Sequence, residues 1–172
     1  MSRPTSTLIY WIRRYLAQFL AQIANDNSDG QIVLSGKNND LEKLTQVLKE
    51  KNIKNIKLPV SAPFHCELME NATQIMKKEI EKVNFNNAQN KLISNVTATE
   101  ILNQDELKRL LIEQIESRVR WRESVINMIN SGVKEFIEIG PGKVLSGLVK
   151  RINKGVKINT INNISDIENL NV

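Results

Sequence analysis

The sequence predicts an α/β fold. Apolar residues recur at helical spacing in some segments and form short β-branched runs in others, and the two kinds of segment alternate. In the second half, single apolar runs are separated by helical patterns, which is the signature of parallel strand pairing.

The elements are expected in this order. Leu8, Ile12, Tyr15, Leu16, Phe19, Leu20 and Ile23 form one helical stripe, so residues 8–23 read as an amphipathic helix. Arg13 and Arg14 interrupt the stripe, and it is too short to span a bilayer. The cluster Asn25-Asp-Asn-Ser-Asp-Gly30 reads as a turn, followed by a strand over residues 31–35. Residues 40–51 read as a helix capped by Asn39 or Asp40. A strand is expected over residues 53–60, ended by Pro59 and Pro63. Helices follow at about 65–83, 104–116 and 122–130, with a strand at 92–96 before the second of them. A strand over 134–139, a Gly140-Pro-Gly142 turn, a helix over 144–152, a strand over 156–161 and a short helix over 165–170 complete the chain.

Composition narrows the chemistry. One cysteine, Cys66, excludes an internal disulfide, and a single Cys with a single His excludes a zinc finger, so no metal is expected. The net charge is +5, and it is not spread evenly. Residues 117–157 hold nine Lys or Arg against three Glu, while the remainder of the chain is nearly neutral. Such a stretch attracts an acidic partner, or else is a solvated basic face. Few aromatics lie near it and no nucleic-acid motif is present, so a basic nucleic-acid-binding module is disfavoured.

Three motifs carry chemical content. In Leu58-Pro-Val-Ser-Ala-Pro-Phe-His65-Cys-Glu-Leu-Met69 a histidine enters at the expected start of a helix. The positive end of a helix dipole disfavours imidazolium, which would keep the ring neutral and able to accept a proton. Cys66 points about 100° away from His65 on such a helix and reads as packing. In Glu138-Ile-Gly-Pro-Gly-Lys-Val-Leu-Ser146 a strand turns tightly into a helix and leaves amides free, a weak anion site or only a turn. Val119-Arg-Trp-Arg-Glu-Ser-Val125 places Trp121 at a helix start.

In this order and spacing the three motifs, with the Asn25–Val33 segment, resemble the malonyl-CoA:acyl-carrier-protein transacylases of bacterial fatty-acid synthesis. The resemblance covers about residues 23–170. It implies the latter part of a ferredoxin-like subdomain over residues 23–60. The C-terminal portion of an α/β-hydrolase-like acyltransferase core would follow over 61–172. Residues 1–22 would be an amphipathic helix outside the match. It implies ping-pong transfer of malonyl from malonyl-CoA to acyl carrier protein, with no bound cofactor, in the cytoplasm. His65 would be the catalytic base, and a backbone carbonyl among Ser117, Arg118, Val119 and Arg120 would orient it. The sequence contains no Gly-x-Ser-x-Gly elbow, so it offers no nucleophile. The expected partners are acyl carrier protein, a coenzyme A thioester and a separately encoded N-terminal half that carries the serine. The alternative is a catalytically inactive remnant.

Overall fold

The computed structural model describes residues 5–16 and 18–170. Helix α1 (Thr5–Leu16) leads into strand β1 (Ala21–Ser28), strand β2 (Gln31–Gly36) and helix α2 (Asn38–Glu50). A short 3-10 turn (Glu67–Met69) precedes α3 (Glu70–Glu81), α4 (Gln104–Glu113) and α5 (Trp121–Asn130). Strand β3 (Glu135–Ile139), helix α6 (Val144–Ile152), strand β4 (Lys157–Ile161) and helix α7 (Ile164–Glu168) complete the order.

The first layer is an antiparallel hairpin of β1 and β2. The Asn-Asp-Asn-Ser stretch expected to be a turn is the second half of β1; the turn itself is only Asp29 and Gly30, with Gly30 at φ +76°. Polar residues hold this strand because the structure answers them. Asp26 is fully buried, yet both its carboxylate oxygens receive hydrogen bonds from the Arg122 guanidinium, each at 3.1 Å. A bulge between Ile23 and Asn25 shifts the register, so that Ala21, Ile23, Ala24, Asp26 and Ser28 are all buried.

Helices α1 and α2 close the core against this hairpin. Ile12 and Leu16 of α1 pack with Ala21, Ile23, Leu44 and Leu48, and Ile9, Tyr15 and Phe19 lie against the same cluster. Burying a side chain such as Leu44 contributes about 2 kcal/mol. Of the expected 8–23 stripe, the side chain of Leu8 lies outside the described residues, Leu20 is exposed in the turn, and Ile23 belongs to β1. Residues 22 and 23, on either side of the expected boundary, both lie in β1, and α1 shares the core of the hairpin.

Two expected strands form no ladder. Residues 53–60 run without regular structure, and Ile56 and Val60 are exposed. The 92–96 segment makes one rung, between Ile93 and Glu100, around a tight Ser94–Thr99 turn. A β-branched run becomes a strand only beside a partner; among the described residues 53–60 has no ladder partner, and 92–96 has only this single rung.

The second layer is a β3-α6-β4 unit with β3 and β4 parallel in register, Glu135 opposite Lys157 through Ile139 opposite Ile161. A parallel pair needs a crossover, and α6 supplies it. One parallel rung between Asn25 and Val119 ties the segment before α5 to the free edge of β1. No helix among the described residues is long and apolar enough to cross a membrane.

Candidate active site

His65 does not start a helix. The helix begins at Glu70, after the 3-10 turn, and His65 stands in a left-handed conformation with φ +59°. The helix-dipole reason for a neutral ring therefore does not apply. What meets the ring instead is the opposite pole of another helix. At the end of α4 the carbonyls of Gln114 and Ile115 lie beyond the helical hydrogen-bond ladder. The His65 N–H donates to Ile115 O at 3.2 Å, and the ring Nδ1 lies 2.8 Å from Gln114 O.

A carbonyl oxygen only accepts, so Nδ1 carries the proton. In the neutral ring Nε2 then holds the lone pair. This is the tautomer a general base requires when it acts through Nε2.

The carbonyl that the ring meets is that of Gln114, three residues before the Ser117–Arg120 segment in which the resemblance implied one. Within that segment, the carbonyl of Val119 accepts from the Asp26 N–H at 2.9 Å, and that of Arg120 accepts from the amide and hydroxyl of Ser124. The side chains are engaged as well. Arg118 and Arg120 both pair with Glu123, and Arg122 pairs with Asp26. Asp26 holds the Arg122 guanidinium even more firmly protonated than usual. Three cations of the 117–157 stretch thus have acidic partners, one of them supplied by β1.

The hairpin grips the histidine loop from the other side. Ser35 Oγ donates to Phe64 O at 2.7 Å, and the Glu67 N–H donates to Gln22 Oε1 at 3.0 Å. Neither Ser35 nor Gln22 carries a sequence signal for such a role; each is an unremarked polar residue of a strand. Cys66 is buried, and its Sγ lies 3.1 Å from Pro63 O. Burial pushes its thiol above the usual range, so it stays protonated at neutral pH and packs rather than attacks.

The glycine turn at residues 140–142 is filled by the protein itself. Glu138 reaches from β3 over the start of α6, accepting from the Leu145 and Ser146 amides at 3.0 and 2.7 Å. The Gly142 N–H donates to Asn162 Oδ1 at 2.7 Å. The amides expected to wait for an anion already have acceptors, the Glu138 carboxylate for Leu145 and Ser146 and the neutral Asn162 oxygen for Gly142. Hydrogen bonding from Ser146 and its neighbouring amides holds the Glu138 carboxyl below its ordinary range. Among the described residues, no group of three or more His, Cys, Asp or Glu side chains is arranged to hold a metal ion.

No family model matches the chain. The malonyl CoA-acyl carrier protein transacylase of Bacillus subtilis is 43% identical over 150 residues, which is 87% of this chain and 47% of that protein. The crystal structure of the malonyl CoA-acyl carrier protein transacylase from Clostridium perfringens superposes with a TM-score of 0.88 at 38% identity, covering 93% of this chain and 52% of that one. The structure of MCAT from Streptococcus pneumoniae gives a TM-score of 0.88 at 30% identity, over 98% of this chain and 55% of that one. The likeness therefore does not begin near residue 23, and the expectation of a match confined to a C-terminal part, with residues 1–22 outside it, is corrected. The chain spans about half the length of the curated relatives it matches. Over nearly the whole of its own length, and about half of theirs, it is homologous to the malonyl CoA-acyl carrier protein transacylases.

Proposed function

We propose that this chain supplies the histidine base for transfer of malonyl from malonyl-CoA to acyl carrier protein. The serine nucleophile comes from residues outside these 172. The observation that carries this is the Nδ1–Gln114 contact, which turns Nε2 into the proton acceptor. The names of the relatives give the reaction.

A serine hydroxyl is a weak nucleophile until a base takes its proton. Nε2 takes that proton while the serine oxygen bonds to the thioester carbon. When the adduct collapses, the carbon–sulfur bond breaks and the coenzyme A sulfur leaves with the proton from Nε2–H. The carrier-protein thiol then gives its proton to Nε2 and attacks the malonyl-serine ester, and the serine oxygen leaves with that proton. Lys143, Lys150 and Lys154 make no ion pair among the described residues, so the basic stretch keeps charge for an acidic carrier or the phosphates of coenzyme A.

The experiment is reconstitution. The chain is co-expressed with the portion of the Bacillus subtilis relative that it does not match, and malonyl transfer to acyl carrier protein is followed. Transfer that falls by about 10³-fold or more in His65→Ala is the expected result. Transfer indifferent to His65→Ala overturns it. The second reading, a chain without catalytic role, rests on the missing Gly-x-Ser-x-Gly elbow. It is favoured if no combination transfers malonyl although the mixed halves associate.

A further inference from the structure

The peptide plane between Phe64 and His65 is pinned at both ends. Its carbonyl oxygen accepts the Ser35 hydroxyl at 2.7 Å, and its N–H donates to Ile115 O at 3.2 Å. One restraint comes from β2 and the other from the end of α4, and they pull on the same rigid unit. This matters because His65 is in left-handed backbone space, at φ +59°. A non-glycine residue stays there only where its surroundings over-determine it. On the Phe64 side apolar packing does not do so, since Phe64 is half exposed, although Cys66 on the other side is buried. Ser35, by contrast, is buried on the hairpin. Its removal would leave the Phe64 carbonyl without this donor and the plane held from one side only.

We infer that Ser35 is a positioning residue for His65. By gripping the carbonyl that precedes the histidine, it sets the plane from which the ring projects. The ring then reaches Gln114 O with Nδ1–H and presents Nε2. This assignment rests on the reading of His65 as the base, but it is testable in the 172-residue chain without substrate or partner.

The readout is the tautomer of the single histidine, taken from its ring nitrogen chemical shifts by NMR at a pH where the ring is neutral. The unaltered chain should hold the Nδ1–H form almost completely. Ser35→Ala should raise the Nε2–H population about fivefold, the change expected from losing roughly one hydrogen bond of restraint. Ser35→Thr, which keeps the hydroxyl and suits a strand, should return the original tautomer. Leu48→Val loosens the core without touching the loop and should leave the tautomer unchanged. Should Ser35→Ala not fold, Ser35→Cys, with a weak donor, should give a partial rise. The assignment is overturned if a folded Ser35→Ala or Ser35→Cys keeps the original tautomer, or if Leu48→Val shifts it equally. Failure of the base reading looks different: the tautomer responds as described, while reconstituted malonyl transfer ignores His65→Ala.

Discussion

The Nδ1 atom of His65 lies 2.8 Å from the carbonyl oxygen of Gln114, so the end of α4 selects the tautomer of the ring. The two residues are 49 positions apart, and neither belongs to the other's secondary-structure element. The set of the ring thus depends on the backbone of α4 as much as on the His65 side chain.

The left-handed backbone of His65 separates two substitutions that would otherwise look alike. His65→Ala keeps the steric cost of positive φ and loses the ring contact. His65→Gly loses the contact but sheds the cost. The glycine variant should be the more stable by about 1 kcal/mol, measured by urea unfolding. Equal stability, or a more stable alanine variant, would show that the backbone here is not under strain.

Asp26 and Arg122 form the most buried ion pair of the described residues, with Asp26 wholly out of solvent. Arg122→Met strands that carboxylate and should cost about 3–5 kcal/mol. The double variant Asp26→Asn with Arg122→Met should cost less than Arg122→Met alone, because an amide demands no counter-charge. Simple additivity of the single effects in a double-mutant cycle would contradict the pairing.

Glu138 predicts an acid-sensitive α6. Its carboxyl titrates below the ordinary value of 4.5 in the folded chain. The stability it confers is therefore present above the unfolded-state value and is lost as the pH falls through the lower, folded-state value. At pH 7 Glu138→Gln should be less stable by about 1 kcal/mol, the usual worth of a helix cap. Between roughly pH 5 and pH 3 the thermal midpoints of the two proteins should converge. A constant gap across that window would assign the effect to something other than charge.

Much of the second half was legible because its elements are decided locally. The β3, α6 and β4 pattern follows from apolar spacing and the Gly140–Gly142 break, and the observed bounds differ from expectation by a residue at most. The failures share a cause: they depend on something distant in sequence. Asn25–Ser28 looks like a turn until Arg122 arrives to neutralise Asp26. Residues 53–60 look like a strand until one asks what pairs with them. His65 was legible as a residue but not as a geometry. Its orienting partner is a main-chain carbonyl, which every residue has and no side chain announces.

The Asp26–Arg122 pair also has a consequence for synthesis. Its members are 96 residues apart, and chain elongation proceeds at about 5–20 residues per second. For at least several seconds the nascent hairpin carries a carboxylate that it cannot enclose. Strand β1 can pair with β2 early, but it cannot seal until α5 has left the ribosome. Translation thus imposes a waiting period on β1, ended by a residue of α5.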